Sequence, residues 1–346
     1  MSINPESGGN NPEEKTPREQ KIEKLINLFE QSRTPLEDFR GLKNYPKLDD
    51  DISQADLKEA SFTYSETDDS YDNAFESILY YMGTQKQLFD QDAFAEPGSR
   101  YDDLFNGADV VFGLKQAGTY DTVFNVDACT AMDLRKVREK FKNSSKTSES
   151  VAPGCNNLFY YAHGPKRTRI IPSPHYIIGT TVANVANAVD KFNIDDAPNI
   201  SNEVDKPLRT KILIELFYQS HASSLECNIA EKAMLESTDL KKKGKIEKAH
   251  DAHKNVHFAT RESLFKIFGI EAKNTKSKEA RLKLEEKLNV FYRQYASEDD
   301  VFKEIFDISK KRRDELLETV EERNNAKFGK NVKAINDILN NPPKSD

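Results

Sequence analysis

Two aspartates in neighbouring strand-like segments have the residue type and spacing of a metal-binding pair. Asp109 lies at the start of the segment Ala108–Leu114, and Asp127 lies near the end of Thr122–Thr130. Both segments are rich in valine and phenylalanine, which favour strands. Because an unpaired charge is costly to bury, an aspartate in such a segment indicates a function or a compensating partner. Carboxylate oxygens suit hard divalent cations, so the pair predicts a Mg²⁺ or Mn²⁺ site.

The connection between the two segments predicts an antiparallel hairpin. Lys115–Thr119 is short and contains a glycine, as hairpin turns commonly do. Side chains alternate between the two faces of a strand, so Asp109 shares a face with Val111, and Asp127 shares one with Cys129. We expect the two carboxylates on one common side of the hairpin.

A helix before the hairpin supplies a third carboxylate. Ser70 or Asp72 can cap a helix that runs to Met82, and Glu76 lies one residue away from its apolar stripe. Glu76 either reaches the sheet edge beside the hairpin or faces water, as surface glutamates usually do. Asp103 is read as a turn or cap residue, with an outer-sphere metal contact as the alternative.

A basic helix is predicted after the hairpin. The segment Met132–Lys142 has an apolar stripe that includes Val137 and Phe141. Its remaining positions form a strongly positive outer face, which is either solvated surface or a track for phosphate groups. The residues assigned to that face are Arg135, Lys136, Arg138, Lys140 and Lys142.

The net charge of −7 conceals an asymmetry between these two regions. Residues 61–130 contain 3 basic and 13 acidic side chains, whereas residues 131–192 contain 10 basic and 4 acidic ones. An acidic cluster alone attracts cations and repels phosphate. An acidic site beside a basic helix is what metal-dependent phosphodiester chemistry requires. Solvated charge patches are the alternative.

The hairpin and its surroundings resemble the core of the PD-(D/E)XK nucleases, including bacterial proteins with such a core. The likeness rests on the phrase Tyr101–Asp109 and on Val126–Thr130, and it extends from about Ser70 to Phe192. This motif is short and degenerate. The resemblance implies a helix, a three-strand meander, a crossover helix and a further strand.

By this resemblance, Asp109 takes the first acidic position, Asp127 the second, and Glu76 is an accessory metal ligand. The family's lysine, two residues after the second acid, is replaced by Cys129. Lys136 or Lys115 would then supply the catalytic positive charge, and Arg135 is a further source of it. Contacts to nucleic acid are expected from the basic helix, through Arg135, Arg138 and Lys142.

Two functions follow from this reading. The first is hydrolysis of phosphodiester bonds in DNA or RNA with Mg²⁺ or Mn²⁺ as the cofactor. The second is a non-catalytic scaffold that keeps the nuclease-like fold and binds a protein partner through its C-terminal helices. The missing lysine favours the scaffold, and the paired aspartates favour the nuclease.

The chain is predicted to be α/β, with a mixed sheet of PD-(D/E)XK-like type and an all-helical C-terminal domain. Its proposed parts are a disordered tail (1–17), an N-terminal helix and loop (18–60), the α/β domain (61–195) and the helical domain (205–346). Within the α/β domain we expect strands at 158–162 and 175–179. Loops are expected at 89–98, between those two strands, and at 143–157.

Several classes of protein are disfavoured by the sequence. No apolar run approaches the roughly 18 residues of a membrane span, and no secretory signal opens the chain, so a cytoplasmic protein without membrane contact is expected. The three cysteines are widely spaced, which disfavours a disulfide scaffold. His250, His253 and His257 share a helix face, but zinc normally needs four ligands, so a solvated or partly packed face is favoured.

Overall fold

A mixed sheet of five strands forms the centre of the described part of the chain. In this computed structural model the described residues are 15–43, 45–61, 68–85, 88–89, 93–115, 122–131, 134–150, 152–191, 206–234, 238–271 and 277–340. The strands are β1 (Ala93–Pro97), β2 (Val110–Leu114), β3 (Thr122–Thr130), β4 (Cys155–His163) and β5 (Lys166–Thr180). Their order across the sheet is β1-β2-β3-β5-β4, and only the β3–β5 pair is parallel.

The predicted hairpin is confirmed. Strands β2 and β3 pair antiparallel, with Val110 opposite Val126 and Gly113 opposite Val123. The turn at residues 116–121 lies outside the described residues. The expected loop at 89–98 is wrong in part, because residues 93–97 form β1, which pairs with β2. β1 is only five residues long and ends in a proline, so it gave little periodic signal.

The β4–β5 hairpin is longer than expected. Strand β5 was predicted only at 175–179, yet it begins at Lys166 and pairs with β4 through Pro174. Proline cannot donate a backbone hydrogen bond, which argued for a loop there. The parallel pairing with β3 begins only at His175, so the proline-bearing part of β5 has a single partner strand.

Helices surround the sheet. Apolar side chains from both halves of the chain pack on the sheet face that carries Phe112, Phe124 and Tyr176, and they form one continuous core. The helices are α1 (Pro17–Ser32), α2 (Leu48–Ala60), α3 (Asp68–Thr84), α4 (Arg100–Asn106), α5 (Leu134–Ser150), α6 (Val182–Lys191), α7 (Lys206–Ala233), α8 (Leu240–Ile267), α9 (Lys278–Tyr295) and α10 (Asp300–Asn340).

Four helices differ from the sequence-based expectation. Most of the segment after the first helix was predicted as a loop, with at most a short helix near residues 55–60, yet residues 48–60 form α2. Asp103 was assigned to a turn or a cap, but residues 100–106 form the helix α4, whose N-cap is Ser99. The crossover helix α5 continues to Ser150, where a loop was expected. The sequence predicts two helices near the C-terminus, at about 298–326 with Ser297 as a cap and near 332–339. They form one helix, α10, whose first turn is capped by Asp299.

The C-terminal half is helical, as predicted. The predicted linker after residue 192 lies mostly outside the described residues. Helix α7 packs against both α8 and α10, and all three helices lie against β5. Gln219 of α7 accepts from the Ile177 N–H at 2.9 Å and donates to the Ile177 carbonyl at 2.6 Å. The division into two domains therefore stays a prediction, and it is not marked by two separate cores.

None of the described helices combines the length and the apolar character needed to cross a membrane.

Candidate functional site

Asp109 is held at the start of β2 by backbone and side-chain hydrogen bonds. Its N–H donates to the Val126 carbonyl at 3.0 Å, and its carbonyl accepts from the Gly98 N–H at 2.8 Å. The carboxylate reaches across to β3, where Oδ2 accepts from the Ala128 N–H at 2.6 Å. Only 5% of Asp109 is exposed. The pairing of β2 with β3 therefore holds the Asp109 carboxylate beside β3.

Asp127 is bound by a lysine that the sequence placed on the outer face of the crossover helix. The Lys140 ammonium on α5 donates to Asp127 Oδ1 and, at 2.8 Å, to the Ala128 carbonyl. Lys140 therefore belongs to the site and not to the solvated basic face. One signal could have found it: Lys140 follows the buried Val137 by three positions, a spacing that places both on the same side of a helix.

The local charges favour the protonated form of Lys140. Burial lowers the pKa of Lys140, but the carboxylates of Asp127 and Asp109 more than offset this effect and raise it above its ordinary value. Gly107 makes room for this arrangement. It has φ of 61°, and a Cβ atom there would lie 2.9 Å from Asp127 Oδ2. A side chain at residue 107 would displace the carboxylate that Lys140 binds.

The carboxylates that converge in the structure are those of Glu76, Asp103 and Asp109. Each offers one oxygen, and these oxygens lie within 4.8 Å of one another. Glu76, which could have faced water, turns into this cluster from α3. Burial raises the pKa of Asp109 well above its ordinary value, and the charges of Glu76, Asp127 and Asp103 raise it further. The pKa of Glu76 is raised by burial and then by Asp103.

The two adjacent aspartates of α4 have different surroundings. Asp102 is buried, and its carboxylate accepts from the N–H groups of Phe159 and Tyr160, both at 2.8 Å. It therefore joins α4 to β4. Asp103 instead faces the acidic cluster, and the Arg33 guanidinium contacts it at 3.0 Å. Asp102 is a structural residue, whereas Asp103 faces the cluster and is paired there with Arg33.

These groups line one open cleft with a volume of about 720 Å³. Seven carboxylate side chains and three cationic ones border it, so negative charge is in excess. Asp72 lies at its β3 side, where the Thr130 N–H donates to Oδ1 at 2.5 Å. The lining carboxylates are Glu30, Glu59, Asp72, Glu76, Asp103, Asp109 and Asp127, and the cations are Arg33, Arg100 and Lys140.

The other basic residues singled out from the sequence lie elsewhere. Lys115 follows the far end of β2, so the strand, roughly 17 Å long, separates it from Asp109. Lys136 is exposed on α5 and does not line the cleft. Arg135 and Lys142 are also exposed on this helix, and Arg138 forms an ion pair with Glu304 of α10 at 2.6 Å.

The predicted histidine face is divided among separate partners. His253 is fully buried, and it contacts the Tyr176 hydroxyl at 2.7 Å and the Pro153 carbonyl at 3.0 Å. His250 instead lies 3.3 Å from a carboxylate oxygen of Glu231. The prediction that this histidine face is at least partly packed is therefore confirmed for His253.

Comparisons with protein-family models, with curated proteins and with solved structures found no match to this chain.

The donor set of the cleft suits a hard divalent cation. Its converging atoms are carboxylate oxygens, the ligand type that Mg²⁺ and Mn²⁺ prefer. Burial and repulsion between neighbouring carboxylates raise the pKa values of Glu76 and Asp109. A cation bound between them would stabilise their ionised forms. The set differs from the expected pair, because Asp127 is engaged by Lys140 while Glu76 and Asp103 join Asp109.

Proposed function

We propose that this chain is a divalent-metal-dependent phosphodiesterase acting on nucleic acid, with a core of the PD-(D/E)XK type. The observation that carries the proposal is the ion pair between Lys140 and Asp127 in a cleft that also holds Asp109. Cys129 occupies the position of the family's lysine, and a lysine from the crossover helix reaches the second acid in its place. A charge missing from the strand is thereby supplied by α5.

The cleft residues have distinct roles in this proposal. Glu76, Asp103 and Asp109 would hold Mg²⁺ or Mn²⁺, and Asp127 orients the Lys140 ammonium. A bound divalent ion supplies an activated water and neutralises developing charge on phosphate. Lys140 adds a fixed positive charge beside that position, which helps to hold the scissile phosphate and to stabilise the charge that develops on it.

Metal binding and phosphate binding are linked in this cleft. Without a cation the excess of carboxylates repels a phosphate group, because like charges at short range are unfavourable. With the metal bound, the negative charge of the cleft is reduced and a phosphate can approach Lys140. Three basic residues of α5, Arg135, Arg138 and Lys142, then offer contacts to neighbouring phosphates.

A cleavage assay with Mg²⁺ or Mn²⁺ tests the proposal. Single- and double-stranded DNA and RNA are incubated with the wild type and with Asp109→Asn, Lys140→Met and Lys136→Met. The last variant is the matched control, because Lys136 has the same charge on the same helix but is exposed outside the cleft. Asp109→Asn and Lys140→Met should each lower cleavage at least 100-fold, an order of magnitude typical of lost charge stabilisation, and Lys136→Met should stay near the wild type.

A second readout separates binding from cleavage. Mg²⁺ or Mn²⁺ should raise the melting temperature of the wild type, since only the folded state gathers the three carboxylates. Asp109→Asn should abolish this rise. Absence of both the rise and any cleavage in the wild type would overturn the nuclease proposal.

The competing function is a non-catalytic scaffold that binds a protein partner. The observation in its favour is on α9, where Leu282 and Val290 are more than half exposed and lie eight positions apart, on one side of the helix. In this alternative, Lys140 and Asp127 form a structural ion pair only. A wild type that folds, shows no metal response and cleaves no nucleic acid would favour it.

A further inference from the structure

A second cavity lies between the helices of the C-terminal half, away from the acidic cleft. Its volume is about 400 Å³, within the range of roughly 300–1,000 Å³ that small-molecule sites occupy. It is bordered by α7, α8, α9 and one residue of α10. The lining residues that matter for its chemistry are Phe217, His221, Phe258, Arg261, Arg281 and Glu285.

The cavity follows from residue spacing on two long helices. On α7 the lining side chains include Phe217, His221 and Leu225, which are separated by four positions each. On α8 they include His257 and Arg261, again four positions apart. This spacing places each set on one side of its helix, so the two sets face a common space. The resulting wall is mainly apolar and aromatic.

One buried cation in this wall has a side-chain nitrogen without a hydrogen-bond partner in the described part of the chain. Arg261 is only 5% exposed, and its Nε atom has no hydrogen-bond partner among the described residues. Its guanidinium lies over the Phe258 ring, 4.6 Å from the centroid. Burial and then the charge of Arg281 lower the pKa of Arg261, and the charge of the adjacent Glu262 offsets only part of this lowering. A buried charge whose hydrogen-bonding capacity is not filled is costly, so the site favours an anion.

The carboxylate in the described wall cannot serve as that counter-ion. Glu285 accepts from the Arg313 guanidinium at 2.5 Å and from the Tyr218 hydroxyl at 3.0 Å. The other charged groups that border the cavity are positive: Arg281, Lys232 and Lys254 are exposed around it. The net charge of the lining is therefore strongly positive, in contrast with that of the cleft.

A second polar atom in the wall also lacks a partner. The Nδ1 atom of His221 is buried and has no hydrogen-bond partner among the described residues. The His221 ring lies 4.5 Å from the ring of His257, between centroids. Burial lowers the pKa of His221 to about 4, and Arg313, Arg281 and Arg261 contribute to this lowering. The neutral imidazole can therefore donate or accept one hydrogen bond.

We propose that this cavity binds a small organic anion that carries one carboxylate or phosphate group on an apolar, ring-sized body. The anionic group contacts the Arg261 guanidinium and the His221 imidazole, with Arg281 at the entrance. The apolar body packs against Phe217, Phe258 and the neighbouring aliphatic side chains. This binding site is independent of the nuclease proposal, because it shares no residue with the acidic cleft.

Isothermal titration calorimetry with simple probes tests this site. Phenyl phosphate and benzoate are titrated into the full chain in EDTA, which keeps divalent metal out of the cleft. Benzyl alcohol and inorganic phosphate serve as the uncharged and the purely ionic probes. We expect at least one aromatic anion to bind saturably, and at least about tenfold more tightly than both of these, because a charge-assisted hydrogen bond and apolar burial act together.

Matched variants locate the binding. Arg261→Met removes the buried charge while keeping a long side chain, and it should weaken binding of the aromatic anion at least about tenfold. Arg293→Met removes the same charge from an exposed position on α9 outside the cavity, and it should leave binding unchanged. If Arg261→Met does not fold, Arg281→Met decides, with a smaller loss expected for an exposed residue.

Three outcomes would overturn the proposal. Absence of saturable binding by both aromatic anions would remove the site. Equal binding of benzyl alcohol would show that charge plays no part, and equal binding of inorganic phosphate would exclude an organic ligand. If Arg293→Met and the cavity variants lose the same affinity for the aromatic anion, the effect comes from the overall charge of the protein and not from this cavity.

Discussion

Two lysine–aspartate pairs in this protein have the same chemistry but opposite surroundings. Lys211 and Asp299 are almost fully buried, and their ion pair of 2.9 Å is closed off from solvent. Asp299 also accepts from the Thr180 hydroxyl and the Asn184 amide, both at 2.7 Å, and from the Phe302 N–H at 2.9 Å. The pair of Lys140 and Asp127 instead borders an open cleft, with Lys140 about one-third exposed.

The difference separates an ion pair that holds the fold from one that is available for chemistry. Asp299 receives enough hydrogen bonds to satisfy both of its oxygens, and it joins β5, α7 and α10. Around Lys140, by contrast, carboxylates outnumber cations, and Glu76 and Asp109 lie close enough to repel each other. A buried pair with satisfied partners gains nothing from a ligand, whereas an unbalanced cleft gains from a cation.

The largest expected effect comes from the closed pair. Lys211→Met leaves Asp299 buried without its cation, which should lower the free energy of unfolding by about 3–5 kcal/mol. Urea denaturation followed by circular dichroism measures this loss. A loss no larger than that of Lys140→Met would remove the distinction between the two pairs.

A smaller effect on stability is expected at the open pair. Lys140→Met should lower the free energy of unfolding by about 1–2 kcal/mol at most, because partial exposure screens the interaction. The same variant frees Asp127 for a cation, so Mn²⁺ should raise its melting temperature more than that of the wild type, while cleavage falls. Thermal denaturation with and without Mn²⁺ measures this. An unchanged or smaller rise would show that Lys140 does not compete with the metal.

The pH dependence of stability sharpens the comparison further. The pKa of Glu76 lies well above its ordinary value of 4.5, mainly through burial, so the folded state holds its proton more tightly than the unfolded state. Stability from this group is therefore present at low pH and is lost as pH rises through 4.5 toward the folded pKa.

Glu76→Gln removes that loss. Between pH 4.5 and 7 the variant should lose less stability than the wild type, because a neutral amide has no proton to lose in the folded state. Urea denaturation across this pH range, without divalent metal, measures the difference. If the free energy of unfolding depends on pH in the same way in both proteins, this result would contradict the burial and repulsion inferred for Glu76 in the cleft.

The smallest effect is expected on the outer face of α5. Arg138→Gln breaks an exposed ion pair with Glu304, so stability should change by less than about 1 kcal/mol. Affinity for nucleic acid should nevertheless fall and its salt dependence should weaken, if this face contacts phosphate. Fluorescence anisotropy with labelled DNA at several salt concentrations measures both. Unchanged binding would remove Arg138 from the proposed phosphate track.

The sequence predicted the elements that show a regular pattern over enough residues. The alternation of apolar residues in β2 and β3 predicted the hairpin and the common face of Asp109 and Asp127. The seven-residue α4 and the five-residue β1 were missed, because one or two turns or a short strand give too little periodicity. Helices expected from the sequence at about 245–268 and 278–296 correspond to α8 and α9, although α8 begins five residues earlier, at Leu240.

Lys140 was missed for a different reason. The spacing of apolar residues in α5 predicts which side of the helix is buried. It does not predict the angle at which the helix axis crosses the sheet. A lysine at the border of that stripe can point to solvent or reach a strand, and its long side chain makes both possible. The packing of α5 on β3 and β5 decides between them. The sequence analysis therefore assigned the positive charge expected from the nuclease resemblance to Lys136 or Lys115. In the fold, both lie outside the cleft.

The crossover between β3 and β5 has a consequence for the order of folding. The β2–β3 hairpin joins residues close in the chain, whereas Asn125 and His175 of the parallel pair are 50 positions apart. Local pairs form before distant ones, because less chain entropy is lost. We expect Asp109 and Asp127 to meet while Lys140 is still undocked. Lys140→Met should then speed unfolding and leave the folding rate nearly unchanged, as stopped-flow kinetics can measure.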